Sequence, residues 1–68
     1  MHPGSTWILD LRRRTRMSQD EVAYRSGLDR SVISRAERGL AHLRSDQRQR
    51  LLEVFKAAMA DDDAVRSA

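Results

Sequence analysis

A compact all-α bundle of four helices, or five, is the fold this sequence predicts. Three observations carry that reading. Apolar residues recur at helical spacing in four segments separated by short polar or glycine-containing stretches. Capping residues stand where segments begin, and Gly27 and Gly39 stand where two of them end. No segment reads as a strand, as an internal repeat or as a low-complexity block.

Residues 1–5 (Met-His-Pro-Gly-Ser) read as a flexible start. Ser5 or Thr6 can cap a first helix running to Thr15 or Arg16, with Trp7, Ile8, Leu9 and Leu11 as its apolar residues. Ile8, Leu11 and Thr15 share the core-facing side, and Met17 plugs the corner that follows. Ser18 and Glu21 have the spacing of a capping box, so a second helix is expected from Gln19 to Ser26 with Val22 and Ala23 inward. Gly27 suits the left-handed residue that ends a helix, and Leu28 anchors the turn. Asp29 is expected to cap a third helix that runs to Glu37 or Arg38, with Ile33 and Ala36 inward and Gly39 as its stop. Residues 40–44 form a connection, with Leu40 and Leu43 folding under. Ser45 can cap a fourth helix over 46–60, whose apolar face is Leu51, Leu52, Phe55, Ala58 and Met59. The acidic residues 61–68 read as a disordered tail, which leaves 6–60 as the folded domain.

Composition narrows the function classes. The chain has 68 residues, enough for one domain, and a domain of this size buries only about 60% of the surface its unfolded chain exposes. With no cysteine there is neither a disulfide nor a thiolate metal site, which suits a reducing cytoplasm. His2 and His42 are far apart, so no metal or other cofactor is expected. No apolar run reaches the length of a membrane span, and no signal segment opens the chain. Net charge is +3 overall, and twelve basic against seven acidic side chains give residues 1–60 a net +5. Arginine supplies twelve of the thirteen basic residues, and its fork suits guanine edges and phosphates better than lysine does.

The stretch from Ser18 to Gly39 is the informative one. Two short helices meet at Gly27, and the second carries Arg30, Ser31, Ser34, Arg35 and Arg38 at its polar positions. That is the layout of a helix-turn-helix whose second helix enters a DNA major groove. Ala23 must be small because the next helix crosses close to it, Gly27 makes the turn, and Leu28 and Ile33 are core. Ser26 is less apolar than the usual resident of its place.

Residues 8–39 resemble the phage-repressor and Cro-type, or XRE-type, helix-turn-helix family. The resemblance lies in Leu11-Arg12, in Ser18-Gln19-Asp20-Glu21-Val22-Ala23, in Gly27-Leu28 and in Ile33-Ser34-Arg35-Ala36-Glu37-Arg38-Gly39. The run from Gly27 to Gly39 is also similar to controller proteins of restriction–modification systems. The resemblance implies a helical bundle that binds an inverted-repeat operator in double-stranded DNA as a homodimer, on bacterial, phage or plasmid DNA. It implies an ion pair between Arg12 and Glu37. It places Arg30, Ser31, Ser34 and Arg35 as base-reading residues, and Ser18, Gln19, Arg38 and, by extension, Arg44 as phosphate contacts. After Gly39 the likeness weakens, because Ser45 to Arg50 is polar where the family resumes an apolar pattern and later adds a fifth helix.

Other readings stand beside these. Arg13, Arg14 and Arg16 are either a phosphate-binding flank or solvated charge. Leu51, Leu52, Phe55 and Met59 are either core or a dimer seam, and Trp7 is a core edge or part of that interface. Asp61 to Asp63 read as a solubilising tail rather than a cation site. Nothing in the sequence points to catalysis: there is no nucleophile elbow, no phosphate loop and no metal-binding helix motif. Two alternatives to a dedicated repressor remain: an antitoxin that autoregulates and binds a toxin, and a protein-interaction adaptor. A polymerase contact would turn the same docking into activation.

Overall fold

The computed structural model describes the backbone of residues 6–67 and the side chains of residues 7–61. Within them lie four helices and no strand: α1 (Thr6–Thr15), α2 (Gln19–Ser26), α3 (Arg30–Glu37) and α4 (Ser45–Ser67). The expected flexible segment 1–5, Ser5 included, lies outside the described residues. No helix among those described is long and apolar enough to cross a membrane.

One core joins the elements. Ile8 of α1, Met17 of the first corner, Val22 of α2, Ile33 and Ala36 of α3, and Leu51 and Phe55 of α4 are all buried, and Trp7, Leu11, Ala23, Leu28, Leu43, Val54, Ala58 and Met59 pack around them. Trp7 meets Phe55 edge to face, with ring centroids 6.4 Å apart. Helix α4 packs on α1 and α2, while α3 packs on α1 and α2. The polar side of α3 is therefore left uncovered by α4.

The corners follow from local backbone chemistry. Ser18 Oγ accepts from the Glu21 backbone N–H at 3.1 Å, one half of the expected capping box. The other half is not made, because the Glu21 carboxylate accepts from Arg25 Nη2 one turn on, at 2.7 Å. Gly27 ends α2 at φ 73°, and its N–H returns to the Ala23 carbonyl. The end of α1 has the same device without a glycine: Arg16 sits at φ 58°. Its N–H donates to the Arg13 carbonyl at 3.4 Å and that of Met17 to the Arg12 carbonyl at 3.0 Å, the Schellman pattern.

Four expectations are corrected. Asp29 occupies the N-cap position of α3 but makes no side-chain cap, since its carboxylate accepts from Ser31 Oγ instead. Ser45 is the first helical residue of α4 rather than its cap. The first helical bond runs from the Arg48 N–H to the Arg44 carbonyl at 2.9 Å, and Gln47 Oε1 reaches back to the Arg44 N–H. Leu40 does not fold under but is 66% exposed, because Gly39 at φ 76° turns the chain outward. Finally, residues 61–67 are helical where a disordered tail was expected. From Ser45 to Ser67 there is no glycine or proline to stop a helix nucleated on the core, and four alanines between 57 and 64 favour its extension. At 1.5 Å per residue α4 is about 35 Å long, close to the molecule's longest dimension of 40 Å.

Candidate nucleic-acid interface

Helix α3 has a buried side and a bare side. Ile33 and Ala36 are fully buried, whereas Ser31, Arg35 and Arg38, at helical three- and four-residue spacing, share the opposite, exposed side. Ser34 lies half-buried at the edge of that face, and Arg30 stands exposed on its flank. The four residues expected to read bases thus sit along one helix, with Arg30, Ser31 and Arg35 exposed and Ser34 half-buried. Arg35 is held along α3 by a hydrogen bond from Nε to the Ser31 carbonyl at 3.3 Å. Arg30 Nη1 lies 3.3 Å from Asp20 Oδ1 of α2. That partner was not foreseen; its one signal is an acidic residue at the second position of α2 facing the start of α3.

The expected ion pair is present. Arg12 Nε donates to Glu37 Oε2 at 2.6 Å and Arg12 Nη2 to Glu37 Oε1 at 3.1 Å, a two-pronged pairing of guanidinium and carboxylate. The side chains are 17% and 8% exposed. Hydrogen bonding to Glu37, opposed by desolvation and aided by its charge, raises the Arg12 pKa above its ordinary value. Arg12 Nη1 also donates to the Met17 carbonyl at 3.2 Å, which ties down the corner before α2. Gln19 adds a third strand to this knot, its Nε2 donating to Glu37 Oε1 at 2.9 Å. The Gln19 side chain, expected to face a phosphate, is therefore half-buried and tied to Glu37 through one amide hydrogen. Its role as a brace was missed because the sequence offers no periodic signal linking residues 19 and 37.

The remaining expected residues are more scattered. Ser18 is exposed at the α2 N-terminus, its hydroxyl occupied by the Glu21 N–H. Arg38 is exposed at the C-terminal end of α3. Arg44 is exposed at the start of α4 and pairs with Asp46, with Nε 3.2 Å from Oδ1. That pairing holds the Asp46 carboxyl below its ordinary pKa. Arg13, Arg14 and Arg16 are exposed near the end of α1. The expected dimer seam is divided: Leu51 and Phe55 are wholly consumed by the chain's own core, while Leu52 is 41% exposed and Met59 half-buried. Leu51 and Phe55 cannot serve a second subunit without opening the core.

Among the described residues, no group of three or more His, Cys, Asp or Glu side chains is placed to hold a metal ion. An open cleft of about 450 Å³ lies between α2 and α4, lined by Arg25, Ser26, Arg50, Glu53, Val54 and Ala57, with no contribution from α3. Comparison of the chain with protein-family models, with curated proteins and with solved structures found no match.

Proposed function

We propose that this chain is a sequence-specific DNA-binding transcriptional regulator of the phage-repressor and Cro type, acting as a homodimer on an inverted-repeat operator. The observation that carries the reading is the α2–turn–α3 unit. Ile33 and Ala36 are buried beneath α3, and Ser31, Arg35 and Arg38 are exposed above it, with Arg30 at the flank. A rigid helix with a basic, small-residue outer face is what the major groove accommodates. In this reading Arg30 and Arg35 meet guanine O6 and N7, Ser31 and Ser34 let the helix sit deep, and Arg38, Arg44 and the α2 N-terminus with Ser18 and Gln19 meet phosphates. Blocking of polymerase is then the default regulatory outcome.

Selection of bound duplexes from a random library at near-physiological salt tests it. The expected result is a palindromic motif with half-sites centred about 34 Å apart. A folded sample that enriches no motif overturns the reading. A second reading, the antitoxin, is favoured by one feature. Among the described side chains Met59 is the last one packed on the core, and the backbone of helix α4 continues through residues 60–67. A toxin co-purifying with the chain, and lost when residues 60–68 are removed, would establish it.

A further inference from the structure

We propose that Asp29 reads a base, selecting cytosine through its exocyclic amino group, and that Ser31 is the residue that positions it. The proposal rests on the reading that α3 enters the major groove.

Asp29 holds the N-cap position of α3, with backbone φ −71° and ψ 141°, and its carbonyl accepts from the Val32 N–H at 3.0 Å. An aspartate there ordinarily turns its carboxylate back onto the free N–H groups of the first turn. This one does not: no side-chain cap is made. Instead Ser31 Oγ donates to Oδ2 at 2.6 Å, a bond between two exposed side chains at the leading end of the helix. Among the described residues no arginine, lysine or histidine pairs with Asp29. The carboxylate is thus braced on one oxygen and left with acceptor capacity on the other, beside Arg30.

The N-terminal residues of a recognition helix are those that reach base edges. A carboxylate there discriminates sharply. Guanine presents two acceptors in the major groove and thymine an acceptor and a methyl group, so both repel or exclude it. Adenine presents a donor beside an acceptor. Cytosine presents its N4 amino group with no competing acceptor, and Asp or Glu accepting from that amino group is the matching contact. Phosphates repel a carboxylate, and a cytosine amino group meeting Asp29 offsets that repulsion. The hydroxyl of Ser31, already donating to Oδ2, acts through Asp29 and not as an independent reader.

The test is site selection with the 68-residue chain and with Asp29→Asn, Asp29→Ala, Ser31→Ala and Ser31→Thr, each checked for an unchanged helical spectrum. The expected result is a cytosine at one position of each half-site for the unmodified chain. Asp29→Asn shifts that position to adenine, whose N6 and N7 match an amide, and Asp29→Ala loses preference there. Ser31→Ala weakens the preference, and Ser31→Thr, which keeps the hydroxyl, retains it. A measurement needing no variant accompanies it. Replacing that cytosine by 2-pyrimidinone, which lacks the amino group, lowers affinity of the unmodified chain about tenfold. An enriched motif that is identical for Asp29→Ala, or unchanged affinity for the pyrimidinone duplex, overturns the role of Asp29 alone. No enriched motif from the unmodified chain overturns the DNA-binding reading and this inference with it.

Discussion

Replacing Glu37 by alanine probes the tie between α1, α2 and α3. The carboxylate accepts two hydrogen bonds from Arg12 and one from Gln19, at 2.6, 3.1 and 2.9 Å. Removing one partner of a fully buried pair costs about 3–5 kcal/mol, whereas exposed pairs are worth less than about 1 kcal/mol. With side chains 17% and 8% exposed, this pair lies nearer the buried limit. In Glu37→Ala the guanidinium keeps its bond to the Met17 carbonyl and some access to water, which softens the loss. The expected destabilisation is about 2–3 kcal/mol, and at about 4–8 °C per kcal/mol for a domain of this size, Tm falls by about 10–20 °C.

Thermal unfolding followed by circular dichroism at 222 nm measures it, with Glu21→Ala as the internal control. Glu21 also accepts from an arginine, at 2.7 Å, but both side chains of that pair are more than 40% exposed. Its loss is expected to cost less than about 0.5 kcal/mol. Arg12→Met combined with Glu37→Leu should cost less than the two single changes summed, because no buried charge is then left without its partner. Equal melting of Glu37→Ala and Glu21→Ala would refute the argument from burial.

Three further outcomes are expected. Arg16→Gly relieves a left-handed backbone at φ 58°; about 1–2 kcal/mol of strain less the extra chain entropy of glycine leaves about 0.5–1 kcal/mol of added stability, read as a higher urea midpoint. Arg35→Ala lowers affinity for the selected duplex by about 1–3 kcal/mol and changes random-duplex affinity far less, while Arg38→Ala weakens both alike and flattens the salt dependence, all measurable by fluorescence anisotropy. The Asp46 carboxyl, lowered from 3.8 by its hydrogen bond from Arg44, titrates by NMR below that value and returns towards it in Arg44→Ala. Since the folded pKa is the depressed one, the small stabilisation it gives is fully present above the ordinary pKa and is lost as pH falls through the lowered one.

The parts of the fold legible in the sequence are those where one residue type answers one physical demand. Gly27 and Gly39 mark left-handed turns because little else is comfortable there, and Ile8, Val22, Ile33, Leu51 and Phe55 announce the core by spacing and size. Arg16 meets the same backbone demand as Gly27 but carries no mark of it, since strain tolerated for the sake of packing is invisible in a residue's name. Asp29 and Ser45 are good capping residues that cap nothing. Each stands near a competitor, Ser31 Oγ for the first and the Arg44–Gln47 arrangement for the second, and local competition between hydrogen bonds is settled only in three dimensions. The extension of α4 was hidden by its acidic residues, which suggest solvation and say little against helix. On the candidate interface, the exposed face of α3 followed from periodicity, and the Arg12–Glu37 pair from family likeness. The anchoring of Gln19 on Glu37 followed from neither, because it depends on how α2 and α3 are set against each other.

That anchoring links stability to the proposed recognition. A phosphate accepts hydrogen bonds and donates none, so a glutamine facing it must present N–H and not C=O. Glu37 also accepts only, and by taking one Gln19 amide hydrogen at 2.9 Å it turns Nε2 toward the α2–α3 junction and fixes which end of the amide is which. The second amide hydrogen and the backbone N–H groups of Gln19 and Asp20, that of Glu21 being held by Ser18 Oγ, are then the donors a phosphate would meet in the proposed reading. Arg12 in turn holds Glu37 in place and carries the α1 corner with it. A single carboxylate thus fixes the approach of α2 to α3, neutralises a half-buried guanidinium and, in the proposed reading, orients a donor toward a phosphate. Glu37→Gln separates these roles. The amide keeps an acceptor for Arg12 or for Gln19 but removes the charge that both donors share. In this reading it lowers stability by less than Glu37→Ala does and still weakens binding to all duplexes alike. Altered specificity with unaltered overall affinity would place Gln19 among the base-reading residues instead.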